Sequence, residues 1–136
     1  MTKEEILKLE AGRELDVAIH RTVFGRQCEL FHPEDGEFGS DLDGWYDTPL
    51  KDGGIPEQVP FYSYMLSHAW QVVEVLKEEN DVFIEWWRDG EWLVSNKMLG
   101  FRSGPLGFHS GVVVCADTMP LAVCRAALLI YQQDQG

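Results

Sequence analysis

Val112-Val113-Val114-Cys115-Ala116-Asp117-Thr118-Met119-Pro120-Leu121-Ala122-Val123-Cys124-Arg125-Ala126-Ala127-Leu128-Leu129-Ile130-Tyr131 decides the fold. Residues 112–116 form a short apolar run rich in β-branched side chains, which reads as a buried strand. A helix begins at Thr118, with Pro120 in its first turn, where a missing N–H costs nothing. Leu121, Val123, Cys124, Ala127, Leu128 and Tyr131 leave that helix apolar nearly all round. Such a helix is buried on most sides or packs on another subunit. A deep core helix is the preferred reading and a homodimer face the second. Residues 132–136 read as a frayed tail. The stretch specifies scaffold, and scaffold carries no chemistry of its own.

Working outward, Val82-Phe83-Ile84-Glu85-Trp86-Trp87 reads as a strand and Trp92-Leu93-Val94 as its partner. Asp89-Gly90 between them is a hairpin signal. Phe83 and Ile84, like residues 112–114, are apolar at consecutive positions, as in a sheet covered on both faces. Helical segments are available to cover it. Thr2 and Glu5 make a capping-box pattern, and apolar spacing predicts a helix over most of residues 3–24, interrupted at Gly12 and stopped at Gly25. Arg13, Glu14, Asp16 and His20 fall on its wet side. Ser63 caps a second helix whose apolar stripe is Leu66, Ala69, Trp70, Val73 and Leu76. The fold class is therefore α+β: a three-layer α/β/α sandwich around a small, mainly antiparallel sheet. Residues 1–136 read as one such domain. Residues 26–60, rich in Gly, Pro and Asp, read as a long acidic loop insertion, with Phe38, Trp45 and Tyr46 pinning it to the body.

Eleven basic and 23 acidic residues give a net charge of -12. That balance excludes non-specific nucleic-acid binding and docking on anionic membranes. No apolar run approaches the roughly 20 residues that cross a bilayer. The N-terminus does not read as a signal peptide, so a cytoplasmic location is expected. Cys28, Cys115 and Cys124 read as reduced structural thiols.

Three segments carry a family resemblance. They are Glu10-Ala11-Gly12-Arg13-Glu14-Leu15-Asp16 with Val23-Phe24-Gly25, then Val59-Pro60-Phe61-Tyr62-Ser63 leading to Ala69-Trp70-Gln71-Val72-Val73-Glu74, and Ala116-Asp117-Thr118-Met119-Pro120-Leu121-Ala122-Val123-Cys124-Arg125-Ala126-Ala127-Leu128. In that order they resemble the phage ABA sandwich domain family, small proteins of phages and prophages of Gram-positive bacteria. More faintly, the chain is similar to NinX-like phage proteins, which share the early Leu-Asp helix and the closing Thr-x-Pro helix. The family resemblance implies an α/β/α sandwich. It implies no established activity and no catalytic residues, so no site is carried over.

The remaining constellations each have a bland reading beside the chemical one. Cys28 and His32, with His20, His109 or Cys115, have metal-ligand chemistry, but zinc sites normally show two close pairs and only one is present. Asp41-Leu42-Asp43-Gly44-Trp45-Tyr46-Asp47 resembles a calcium loop only loosely, since its glycine is misplaced and no glutamate closes it. Ser103, Ser110 and His109 lie close together without a nucleophile elbow, and His68 sits at a helix edge. The Gly-rich stretch 100–111 is the better candidate. Its glycines let a backbone approach a ligand, Arg102 is a cation in an acidic chain, and Phe101 and Phe108 have faces for a base. The bland alternative is a wide strand connection. The ligand-site reading takes Arg102, Phe101, Phe108, His109, Trp45 and Tyr46, with no metal, no cofactor and no catalytic residue.

The leading functional expectation is a non-enzymatic phage accessory protein in the host cytoplasm, binding a nucleotide-like ligand and sequestering a host signal. An inhibitor docking its acidic loop on a basic host protein is the second, and a small hydrolase the third. A homodimer is a further expected association.

Overall fold

A computed structural model describes residues 1–32, 43–49, 56–78, 81–86, 90–96 and 112–135, the last three of them as backbone only. Among these residues the elements in chain order are α1 (Lys3–Lys8), α2 (Arg13–Thr22), β1 (Cys28–Phe31), β2 (Gly44–Asp47), α3 (Leu66–Leu76), β3 (Phe83–Trp86), β4 (Trp92–Ser95), β5 (Val113–Ala116) and α4 (Met119–Gln135).

The hairpin signal forms as read. β3 and β4 pair antiparallel with Trp86 opposite Trp92, and Gly90 between them takes a φ of 88°, which favours glycine. β5 pairs antiparallel on the other side of β4, with Val94 opposite Val114. The resulting sheet runs β3-β4-β5. The central strand explains the consecutive apolar positions. Leu93 and Val94 point to opposite faces, and both are buried. Val94 joins the main core, whereas Leu93 is buried outside that cluster. β5 alternates instead: Val114 and Ala116 are buried, Val113 and Cys115 exposed. The architecture is α+β, with helices against a small antiparallel sheet.

The deep-core reading of the last helix holds. α4 packs on β4 and β5 and also touches α1, α2 and α3. Ala122, Val123, Cys124, Ala126, Ala127, Leu128, Leu129 and Ile130 are all buried. The Thr118 hydroxyl accepts from the Leu121 amide at 3.4 Å, and the Arg125 Nε–H donates to the Leu9 carbonyl at 2.8 Å. α4 reaches Gln135, so its backbone is helical where the sequence suggests a frayed tail.

The interruption expected at Gly12 is present, and the 3–24 stretch forms two helices with the break between Leu9 and Gly12. Three expectations need correction. Residues 26–60 are not a structureless loop, since β1 and β2 form an antiparallel ribbon with Cys28 opposite Asp47. Gln58 bridges to Tyr46, so a third short segment lies along the ribbon. Ser63 does not cap α3, which starts at Leu66; its hydroxyl instead accepts from the Gly12 amide and donates to the Gly12 carbonyl. The buried face of α3 is Ala69, Val72, Val73 and Leu76, and Leu66 and Trp70 of the predicted stripe face outward.

Candidate functional site

The densest polar chemistry among the described residues lies where α2 meets the ribbon and the segment leading into α3. Asp16 and His20 are one turn apart on α2, so their side chains share a face. That face points inward: both residues are buried, not on the wet side. Each therefore needs partners. The Asp16 carboxylate accepts from the Ser63 amide at 2.8 Å and from Arg13 Nη1 at 2.9 Å. Arg13 Nη2 donates to the Val59 carbonyl at 2.7 Å, and its guanidinium lies 4.3 Å above the Phe61 ring. Phe61 is held in turn, since its amide donates to His68 Nδ1 at 2.8 Å.

His20 uses both ring nitrogens. Nδ1 is 2.9 Å from the Tyr62 hydroxyl, and Nε2 meets the Asp47 carboxylate. The other Asp47 oxygen accepts from Arg26 Nη1 at 3.2 Å, and Glu57 lies 3.8 Å from the same nitrogen. Phe24 stacks on Tyr62 at 5.1 Å. Burial, and secondarily the Asp47 charge, pushes the Tyr62 hydroxyl well above the ordinary tyrosine range, so it stays protonated. No buried side-chain nitrogen or oxygen among the described residues lacks a partner.

Beside this network, between the end of α2 and the ribbon, is an open cleft of about 390 Å³ lined by Arg21, Arg26, Gln27, Glu29 and Thr48 among others. α2 ends at Thr22, and Gly25 beyond it, with a φ of 63°, turns the chain so that the Arg26 amide reaches the His20 carbonyl at 3.1 Å. Arg21 Nη2 donates to the Cys28 carbonyl at 3.0 Å, with its guanidinium 5.4 Å from the Trp45 ring centre. Burial raises the Cys28 thiol, against the lowering effect of Arg21, so the group is a poor nucleophile at neutral pH.

The sequence-derived site residues divide sharply. Phe101, Arg102, Phe108 and His109 lie outside the described residues, as do Ser103, Ser110 and Asp41. Trp45 and Tyr46 are both on β2, but successive strand residues point to opposite faces. Trp45 packs on the core beneath Arg21, while Tyr46 makes an edge contact with Phe31 at 6.0 Å. They do not face one ligand together. Asp47 is fastened to His20 and Arg26. His20 lends no nitrogen to a metal with Cys28 and His32, and no group of three or more His, Cys, Asp or Glu among the described residues is placed to hold a metal ion.

Sequence reasoning missed Asp16, His20 and Tyr62 as a unit. A signal was present. Gly12, Arg13 and Asp16 come from the first resemblance segment, and Val59, Tyr62 and Ser63 from the second. The structure joins the two segments through their polar atoms. The family model for the phage ABA sandwich domain matches residues 23–128. The chain belongs to the phage ABA sandwich domain family. A crystallised phage protein from Bacillus cereus ATCC 14579 is similar in structure, with 26% identity, a TM-score of 0.56, and coverage of 89% of this chain and 92% of that one. No match was found among curated proteins. The family match begins after α2, so the Asp16 and His20 side of the junction lies before it. No helix among the described residues is long and apolar enough to cross a membrane.

Proposed function

We propose that this member of the family is a non-enzymatic phage accessory protein that binds a nucleotide-like ligand in the host cytoplasm. The observation that carries the reading is the cleft lined by Arg21 and Arg26. Each guanidinium has five N–H donors, and Arg21 and Arg26 are each anchored through one nitrogen. A pre-oriented guanidinium suits a phosphate oxygen. Glu29, Asp47 and Glu57 offset the local positive charge, so recognition would rest on directed N–H groups rather than long-range attraction. Phe101, Arg102, Phe108 and His109 of the Gly-rich stretch, which lie outside the described residues, have side chains whose chemistry suits the same ligand class. Host-signal sequestration is the role such binding would serve.

The non-enzymatic part of the proposal is supported by the commitment of His20. A general base must have a nitrogen available to the proton it removes, and both nitrogens of His20 hold internal partners. The acidic-inhibitor reading loses Asp47 as a docking carboxylate, because that side chain is tied to His20 and Arg26.

Thermal-shift and calorimetric titrations with mono-, di- and cyclic nucleotides test the proposal. Ligand at a hundred times its Kd stabilises a fold by about 2.7 kcal/mol. A shift of that order with at least one class, lost in Arg21→Gln, is the expected result. No shift with any nucleotide, alongside an unchanged melting temperature for the variant, overturns it.

A further inference from the structure

Four large apolar side chains at the entrance and outer face of α3 have no place in the core. Tyr64, Met65, Leu66 and Trp70 are 48%, 42%, 61% and 48% exposed. Leu66 and Trp70 lie one turn apart on the same helix face, and Tyr64 and Met65 lead directly into it. The inward face of α3 is complete without them. A large side chain carries roughly 200 Å², so four at about half exposure offer about 400 Å². An exposed apolar area of about 400 Å² matches the largest patch of a typical monomer, and such patches are often functional.

Local charge selects the occupant. The chain carries a net -12, yet residues 59–77 hold only Glu74 and Lys77 as charged groups, 3.9 Å apart. A basic partner is drawn to the carboxylate-rich faces rather than to this neutral one. A second copy of the chain is repelled at those faces, whereas around Leu66 and Trp70 it meets only the Glu74–Lys77 pair, with the exposed Glu78 at the far end of the helix.

We propose that this face is a two-fold interface between two copies of the chain, with α3 of one packing on α3 of the other around Trp70. A standard interface buries about 800 Å² on each partner. The four apolar side chains supply about half of that as its centre. Ser67, Gln71, Glu74 and Lys77, exposed on the same helix, supply the polar rim. Trp, Tyr and Met are the side chains enriched at interface centres. α4 is not this face, because its apolar surface is used within its own chain. The proposal is independent of the nucleotide reading and would survive its failure.

Sedimentation analysis of the full chain over a range of concentrations, at low and high salt, tests it. The expected species has about twice the 15.5 kDa chain mass. Salt should tighten the association, because it screens the like charges outside the patch. Leu66→Glu and Trp70→Ala should each weaken dimerisation at least tenfold, with a melting temperature equal to that of the wild-type chain when both are compared as monomers at concentrations below the dimer Kd. Should Trp70→Ala lower the melting temperature, Leu66→Glu decides. A monomer at every concentration overturns the proposal. So does a dimer indifferent to Leu66→Glu, or one that salt dissociates.

Discussion

Replacing Asp16 by alanine tests whether the junction between α2 and the α3 approach holds the fold together. Two losses follow from the geometry. The Ser63 amide, bonded to Asp16 at 2.8 Å, is left buried and unpaired, which costs about 1–3 kcal/mol. Arg13 loses its carboxylate partner at 2.9 Å. That second loss is smaller than for a fully buried cation. The Arg13 side chain is 25% exposed, and the Val59 carbonyl and Phe61 ring still hold it; about 1 kcal/mol is the appropriate scale. The sum is about 3 kcal/mol, the lower edge of the range for breaking a buried ion pair. It is a large part of a typical stability of about 5–15 kcal/mol and corresponds to a fall in Tm of about 10 °C. Asp16→Asn keeps an acceptor for the Ser63 amide and loses only the charge, so it should cost about 1–2 kcal/mol. Urea unfolding followed by circular dichroism gives both values, provided the slope m is unchanged. A cost for Asp16→Ala below about 0.5 kcal/mol, a typical surface value, refutes the reasoning. Equal costs for the two variants would also refute it, because the Ser63 bond would then contribute nothing.

Alkaline pH and thiol chemistry give two further checks. Burial raises the Tyr62 and Cys124 pKa values above their ordinary 10.0 and 9.0, so the folded state holds these protons more tightly than the unfolded chain does. Their contribution to stability is complete below the ordinary values and is lost as pH rises beyond them; urea midpoints should therefore fall in that alkaline window. Tyr62→Phe, which costs a hydrogen bond at neutral pH, should flatten the upper part of that fall. Among the three cysteines, Cys115 is exposed and Cys28 and Cys124 are buried, so native alkylation mapped by peptide mass spectrometry should mark Cys115 first and the other two only on unfolding.

What the sequence revealed depended on whether a residue's environment was local. The β3–β4 hairpin needed only Asp89-Gly90 between two apolar runs, and it was legible. The depth of α4 was legible because its apolar residues leave no wet stripe. The β1–β2 ribbon was not, since Glu29, Tyr46 and Asp47 alternate poorly with apolar residues and the turn chemistry around them reads as loop. Asp16 and His20 were misplaced for a different reason. A carboxylate and an imidazole on a helix belong outside unless a distant segment satisfies them. Their partners lie 47 residues away at Ser63 and 27 and 42 residues away at Asp47 and Tyr62. No helical periodicity carries that information. Trp70 failed in the opposite sense: helical spacing put it with the core stripe, but Val72 joins Ala69, Val73 and Leu76 on the buried face instead.

Arg26 ties the candidate ligand site to the way the ribbon is fastened. Asp47 is held by two groups on different elements, His20 on α2 and Arg26 just beyond it. The pair ties β2 to α2 and to the residues just beyond it, and Arg26 and Thr48, which follows Asp47, both line the cleft. A phosphate that took Arg26 entirely from Asp47 would remove one of the two fastenings that shape its own site. Under the proposed nucleotide reading, the best ligand would use the remaining Arg26 donors and those of Arg21 while the Asp47 contact stays in place. That requirement would favour a small, directional anion over a bulky polyanion. The same contact would let a chain with net charge -12 carry the proposed anion site, because the Asp47 carboxylate orients Arg26 and a ligand would meet a pre-set guanidinium instead of a diffuse positive field.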